Sequence, residues 1–472
     1  MPALLCGCIK TGGIAVNRIA TRALALLLLV LALAAGTVFF LCEYVADAKQ
    51  WVMFSGSPHI YTNGKVSNGA LVDRNGELLV DLTDGRSYHP NALTRKAVLH
   101  WIGDRQGNIR LPSVDYYTDA MLGYDFINGV YAYGDTTGTI ALTLSAKLQA
   151  AALEAMGDCV GTVAVYNYKT GEILCAVTTP TFDPDNVPDI AGDSTGAYTG
   201  VYVNRFLQSK YIPGSIFKIV TLAAALESIP DIETRTFTCE GKYVIQKGDI
   251  TCISAHGKQT LKECFSNSCN CAFAQIVELI GREKLERYVE LFGITKPLSF
   301  DGITTAAGNF DLEGATAEQI AWSGIGQHKD QINPCAYLAF VGTIANGGAG
   351  VAPYVVSEVS IGNKTTYEAK AVQTDRVVSK ETAQTVMEYM GNNVEVKYGA
   401  ENFPGLTVCA KSGTGEVGGG KKPNAMFTGF LTDEKYPLAF IVTIEEGGFG
   451  TQACMPVISK VLAACVAEIS RN

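Results

Sequence analysis

The chain has 472 residues, 47% of them hydrophobic and 18% charged, and a formal net charge of −9. This is globular composition at a length that allows two or three domains. The acidic balance argues against a nucleic-acid surface, which needs clustered basic residues.

The first element in chain order is an apolar run. Ala23 to Cys42 is twenty residues without a charge, enough to cross a bilayer as a helix. Lys10, Arg18 and Arg22 precede it, and Glu43 and Asp47 follow it. That is the positive-inside asymmetry. It predicts a cytoplasmic tail (1–22), a transmembrane anchor (23–42) and an extracytoplasmic remainder. The competing reading is a cleaved signal peptide with Ala46-Asp47-Ala48 as its small-residue site. The run is long for a signal h-region, so the uncleaved anchor is the expectation. Phe40-Leu41 before Cys42 lacks the small residue of a lipobox.

Residues 43–142 are polar and turn-rich and are expected to form a small membrane-proximal module. Within it, "NGALVDRNGELLVD" (Asn68–Asp81) predicts two strands around a turn at residues 73–76. The character changes at Thr143. "TLSAKLQAAALEAMG" predicts a capped helix closed by Gly157, and "GTVAVYNYKTGEILCAVTTP" predicts a hairpin with its turn at Lys169-Thr170-Gly171. Roughly 260–400 reads as helical and irregular. Three strands are expected near the end, in "LTVCAKSGT", "AMFTGFLT" and "YPLAFIVTI", followed by a helix over about Pro456 to Ile469. Two early strands and three late ones predict an α+β fold for 143–472, with one antiparallel sheet built from both ends and covered by helices.

The fourteen cysteines include no Cys-x-x-Cys pair, and His59, His89, His100, His256 and His328 are far apart, so the spacing predicts no metal site. Most cysteines read as small buried hydrophobes. Cys239 and Cys252 bracket a hairpin-like segment, "CEGKYVIQKGDITC", and are the pair to test for a disulfide. Cys6 and Cys8 are expected on the cytoplasmic side.

Three short motifs carry the chemistry. From Ser215 the sequence runs SIFKIVTLAAAL, apolar on every side of a helix and therefore expected in a domain's centre. Pro213-Gly214 breaks the chain before it and sets Ser215 at the helix mouth. Lys218 lies one turn on, within reach of the Ser215 hydroxyl. Read alone, Ser215 is equally an ordinary N-cap. A lysine in an apolar helix, however, needs a partner or a function, and burial makes its neutral amine available as a base. Ser268-Cys269-Asn270 follows, before another apolar helical run. Lys411-Ser412-Gly413-Thr414 lies on an expected strand, where Gly413 lets a ligand's backbone approach and the neighbouring hydroxyls and amine suit a carboxylate. Each of these two alone also fits a cap or a turn. Lys169-Thr170-Gly171 matches the third pattern too, but stands before the serine helix.

In this order, 53 and then 143 residues apart, Ser-x-x-Lys, Ser-x-Asn and Lys-[Ser/Thr]-Gly form the motif set of penicillin-binding proteins and serine β-lactamases. The chain resembles a class B penicillin-binding protein over most of residues 68–472. The resemblance extends through "VDRNGELL", "FDPDNVP", "NRFLQSKYIPGSIFKIV", "IGQHKDQINPCAYLAFVGTIANGG" and "GGGKKPNAMFTGF". The compact membrane-proximal module and "EVGGGKKPNA" look most like the short penicillin-binding protein A subgroup.

The resemblance implies a D,D-transpeptidase of peptidoglycan stem peptides, acylated by β-lactams and using no metal or organic cofactor. Ser215 is then the nucleophile and Lys218 its base. Ser268 relays a proton with Lys411 nearby, and Asn270 holds the donor's amide. Ser412, Gly413 and Thr414 bind the terminal carboxylate, and the N–H groups of Ser215 and Thr414 form the oxyanion hole. A polytopic glycosyltransferase of the SEDS type is the implied partner. The chain departs from the pattern at Asn68, Gly415, His328 and Met426. Rival readings are a D,D-carboxypeptidase, a β-lactamase and a non-catalytic β-lactam sensor or scaffold. The missing Glu-x-x-x-Asn segment between the second and third motifs, and the anchor, disfavour the β-lactamase.

Overall fold

The computed structural model describes residues 9–53, 60–62, 65–131 and 138–471. Cys6, Cys8 and His59 lie outside them. The chain divides into two compact units, Met1–Lys65 with Gly123–Asp135, and Val66–Leu122 with Thr136–Asn472.

In the first unit, helix α1 (Ile9–Trp51) contains the expected span. The most apolar 18 residues within Asn17–Trp51 have a mean hydropathy of 2.8, and this is the one helix among the described residues long and apolar enough to cross a membrane. The Tyr44 ring packs edge-on against Phe126 with centroids 5.3 Å apart, and its hydroxyl donates to the Phe126 carbonyl at 3.0 Å.

The second unit opens with β1 (Ala70–Val72) and β2 (Leu78–Asp81), paired as the expected hairpin. The buried Asp73 carboxylate ties its turn, accepting from the N–H groups of Asn75 at 2.7 Å and Glu77 at 2.9 Å. Then come β3 (Ser87–Tyr88), α2 (Ala92–Ile102) and β4 (Gly138–Leu142). Helix α3 (Ala146–Met156) is capped by the Ser145 hydroxyl, which accepts from Leu148 N–H at 3.2 Å. Strands β5 (Gly161–Asn167) and β6 (Ile173–Thr179) follow; the turn between them holds Gly171 at φ 89°. Helix α4 (Lys218–Ser228) precedes two nested hairpins, in which β7 (Thr236–Cys239) pairs with β10 (Gly257–Thr260) around β8 (Lys242–Ile245) and β9 (Gly248–Thr251). Next are α5 (Asn270–Ile280), α6 (Pro334–Ala345), β11 (Val356–Ile361), β12 (Lys364–Glu368) and α7 (Lys380–Asn393). The chain ends with β13 (Val408–Gly415), β14 (Asn424–Leu431), β15 (Leu438–Ile444) and α8 (Met455–Ile469).

The central sheet is antiparallel in the order β6-β5-β15-β14-β13. The last strand therefore pairs with the first of the early hairpin, Val442 opposite Val163, as expected of a sheet closed from both ends. One face packs Val163, Val165, Phe427 and Phe440 against Leu148 and Ala152 of α3 and Val461 and Leu462 of α8. The other face meets α6 so closely that a Cβ on Gly342 would lie 1.8 Å from the Tyr166 hydroxyl. With both faces covered, β5, β14 and β15 read as continuous apolar runs rather than alternating ones. Each such buried Phe or Val contributes about 1.5–3 kcal/mol.

The two units divide residues 43–142, with 43–65 and 123–135 in the first and 66–122 and 136–142 in the second. The reason is strand pairing within the second unit, where β1 lies parallel to β4, and β4 in turn pairs with β11, in a sheet ordered β12-β11-β4-β1-β2-β3. The region 260–400 is not all helix and irregular chain: it holds β11, β12 and a pair formed by Ala349–Val351 and Gln373–Arg376. Of these, "KTTYE" and "QTDR" are exposed and polar, and "VSEVSI" buries Val356 and Val359 three residues apart, so none carries a period-two signal.

Candidate active site

Ser215 stands in a single 3-10 turn, Gly214–Phe217, that runs directly into α4. Every residue from Lys218 to Ala225 is buried, in keeping with a helix apolar on all sides. Other elements hold the turn from behind. Gly214 N–H donates to the Gly326 carbonyl at 2.8 Å, and the Tyr337 hydroxyl of α6 donates to the Ile216 carbonyl at 2.7 Å. Asn333 Nδ2 donates to the Leu207 and Ser209 carbonyls at 2.9 and 3.0 Å, fixing the approach to the turn.

Strand β13 is the open edge of the central sheet and runs past this turn. A Cβ on Gly214 would lie 2.1 Å from the Thr414 carbonyl oxygen, and Gly214 also has φ 54°, so only glycine fits there. On the strand side, a Cβ on Gly413 would lie 2.6 Å from the Pro213 carbonyl oxygen. Thus Gly413 has a packing reason beyond any approach of a ligand. Gly415 is alike: a Cβ there would meet the Ile212 carbonyl oxygen at 2.1 Å, which accounts for the departure from alanine. Gly415→Ala is expected to push the strand off the turn and cost about 1–3 kcal/mol, as overpacking does, read as a lowered thermal midpoint. Met426, the other departure on this sheet, is fully buried opposite Gly413.

Both lysines are buried, Lys218 at 0% and Lys411 at 1% exposure. Lys218 Nζ lies 2.9 Å from Ser215 Oγ, 2.7 Å from the Ser268 carbonyl oxygen, 2.7 Å from Asn270 Oδ1 and 3.2 Å from Ser268 Oγ. Lys411 Nζ lies 3.1 Å from the same Ser268 Oγ and donates to the Ser412 carbonyl at 3.0 Å. Burial pushes the Lys218 amine down to about 8. Lys411 is pushed well below its ordinary value, first by burial and then by the charge of Lys218.

The partners of Lys218 decide its chemistry. A carbonyl oxygen and an amide oxygen can only accept. They take two N–H bonds, and a neutral amine has no more than two to give. In the deprotonated form the third direction, towards Ser215, is the lone pair, whereas the protonated form donates there. Ser268 adopts φ 51°, and its carbonyl meets Lys218 while its hydroxyl meets both amines. Asn270 is anchored on its other side, Nδ2 donating to the Thr251 carbonyl at 3.0 Å.

The structure therefore gathers Ser215, Lys218, Ser268, Asn270 and Lys411 in one hydrogen-bonded cluster, with Ser412, Gly413 and Thr414 on the adjoining strand. The sequence reading missed Tyr398. Its hydroxyl accepts from Ser412 N–H at 2.9 Å and lies 3.1 Å from Ser412 Oγ. It also missed Asn393, whose Nδ2 donates to the Ala410 carbonyl at 3.0 Å. Neither stands in a motif, and both reach β13 only through the fold. Gln327 stabilises the strand from the turn side, Nε2 donating to the Thr414 carbonyl at 3.0 Å.

Residues 161–463 match the family described as the penicillin binding protein transpeptidase domain. The chain is similar to the peptidoglycan D,D-transpeptidase PbpA of Mycolicibacterium smegmatis, 26% identical over 73% of this chain and 75% of that protein. It is also similar to stage V sporulation protein D of Bacillus subtilis, 28% identical over 66% of this chain and 49% of that one. Among solved structures, penicillin-binding protein A of Mycobacterium tuberculosis as a ceftriaxone acyl-enzyme superposes with a TM-score of 0.73 at 24% identity, over 84% of this chain and 98% of the other. The D,D-transpeptidase domain of a peptidoglycan glycosyltransferase from Eggerthella lenta gives 0.74 at 25% identity, over 85% and 98%. A half-buried serine in a 3-10 turn, one turn ahead of a buried lysine and beside the edge strand of an antiparallel sheet, with the matched family spanning nearly two thirds of the sequence, places this chain in the penicillin-binding protein transpeptidase family, with the mycobacterial PbpA proteins among its relatives.

Proposed function

We propose that the protein is a membrane-anchored peptidoglycan D,D-transpeptidase working through a Ser215 acyl-enzyme. The observation that carries this reading is the set of contacts at Lys218 Nζ: once deprotonated, an amine that gives its two N–H bonds to the Ser268 carbonyl and Asn270 Oδ1 has its lone pair left for the Ser215 hydroxyl at 2.9 Å. Lys218 takes the Ser215 proton as Oγ bonds to the carbonyl carbon of the penultimate D-Ala. The peptide C–N bond breaks, and the departing D-Ala amine receives a proton through Ser268 Oγ, which bridges the two lysines. An acceptor amine from a second stem peptide then displaces Ser215. Asn270 holds the donor's amide. Ser412 and Thr414 bind its terminal carboxylate beside Gly413, and the N–H groups of Ser215 and Thr414 receive the oxyanion. The open edge of β13 suits an extended donor peptide, which adds to a sheet edge by main-chain hydrogen bonds.

The relatives carry the name peptidoglycan D,D-transpeptidase, and a structural neighbour holds a β-lactam as an acyl-enzyme. Residues 23–42 serve as the anchor, with 1–22 in the cytoplasm and 143–472 carrying the catalytic region outside, in line with the charge asymmetry around the span. A SEDS-type glycosyltransferase is the partner that family resemblance suggests. The test is the fate of a labelled penicillin. A covalent adduct at Ser215 that outlasts many hours in water is expected of a transpeptidase. Rapid, repeated turnover of the β-lactam would instead make this a β-lactamase.

A further inference from the structure

Outside the catalytic cluster, the two nested hairpins bring together side chains that lie far apart in sequence. Cys239 ends β7, Cys252 follows β9, His256 precedes β10 and Cys269 caps the N-terminus of α5. Their spacings of 13, 4 and 13 residues fit no familiar finger pattern. Yet one ligating atom from each lies within 4.8 Å of all the others.

We propose that Cys239, Cys252, His256 and Cys269 form a structural zinc site that clamps the hairpins to the Ser268-x-Asn270 motif. Cys252 Sγ and Cys269 Sγ are 3.7 Å apart. Thiolates bound to one tetrahedral zinc at about 2.3 Å each stand roughly 3.8 Å from one another, whereas a disulfide needs about 2.05 Å. His256 supplies a second, independent sign, because its Nδ1 is buried with no hydrogen-bond partner. The sulfurs also sit where negative charge is welcome. Cys271 N–H donates to Cys252 Sγ and Ala272 N–H to Cys269 Sγ, both at 3.3 Å. Cys271 itself stays outside the set, its thiol donating to the Ile250 carbonyl at 3.5 Å. Three thiolates and one imidazole are a soft, closed ligand set that selects zinc among common divalent ions and leaves no open position for catalysis.

The position gives the site its purpose. Two-stranded hairpins are marginally stable by themselves, and these carry Thr251, whose carbonyl holds Asn270. The ligand Cys269 lies between Ser268 and Asn270, so fixing its sulfur fixes the backbone from which both side chains reach Lys218.

The test uses the full chain purified in detergent under reducing conditions without chelator. Its metal content is measured by plasma mass spectrometry and its thiol state by alkylation and intact mass. About one zinc per chain is expected, as in other Cys3His sites. It should be lost in Cys252→Ala and in His256→Ala and kept in Cys159→Ala. Exchange of wild type with Co2+ reads the site without any substitution, and should give thiolate-to-metal charge transfer and the intense visible bands of a tetrahedral centre. Zinc-free wild type with Cys239, Cys252 and Cys269 all freely alkylated would overturn the proposal. So would a disulfide joining any two of them.

Discussion

Ser215→Ala is expected to form no covalent adduct with a labelled penicillin and to lose D-Ala release by about 10⁶-fold, the scale on which a nucleophilic serine counts. The geometry supports so complete a loss. Ser215 Oγ is the hydroxyl that Lys218 faces at 2.9 Å on the side of the passing strand β13. Ser268 Oγ also touches Lys218, at 3.2 Å, but it is bonded to Lys411 as well, at 3.1 Å. The substitution removes one partly buried oxygen and leaves the turn's backbone bonds to Gly326 and Tyr337 in place, so the thermal midpoint should hardly move. An undiminished adduct in the alanine variant would show that another residue is the nucleophile.

The second large effect belongs to Lys218. Replacing it with alanine removes the base, and a general base contributes on the order of 10²–10⁴-fold; the acylation rate should fall by that much. The pH profile separates this role from simple packing. Only the neutral amine has a lone pair for the Ser215 proton, and burial sets its titration at about 8. Acylation by a penicillin should therefore slow about tenfold for each pH unit below that value and level off above it. Stability should follow the same group with its own sign. The unfolded chain holds the proton up to its ordinary value of 10.5 while the folded chain gives it up near 8, so stability rises with pH across that window. A Lys218→Met protein should lose this slope along with its activity. A flat acylation profile between neutral pH and 9 would remove Lys218 from the base role.

Much of this was legible in the sequence because it is local. Ser215 and Lys218 are one turn apart on a helix, and helical periodicity places them on one face without further information. The hairpins at Asp73–Gly76 and Lys169–Gly171 follow from turn chemistry, and the closing of the sheet from both ends follows from five apolar strands at the two ends of the domain. What was not legible is what distant chain segments do to each other. Gly415 looked like a departure from pattern, and became a packing requirement only once Ile212 was seen against it. Tyr398 and Asn393 stand in a stretch with no motif and act by reaching β13 across space. Strand β12 carries no alternation because most of it is exposed, and β11 carries none because its two buried valines, Val356 and Val359, stand three residues apart. The four side chains around Cys252 are invisible to spacing rules, since two nested hairpins, not a short loop, bring them together.

The central claim, that an amine and not water resolves the Ser215 ester, is tested most directly by a donor–acceptor assay. The full-length protein is supplied with a stem pentapeptide ending in D-Ala-D-Ala and a second stem peptide with a free amine, and the products are weighed by mass spectrometry. Cross-linked dimer, dependent on Ser215 and blocked by penicillin, is the result this account predicts. Hydrolysed tetrapeptide alone, at every acceptor concentration, would contradict it and make the protein a carboxypeptidase.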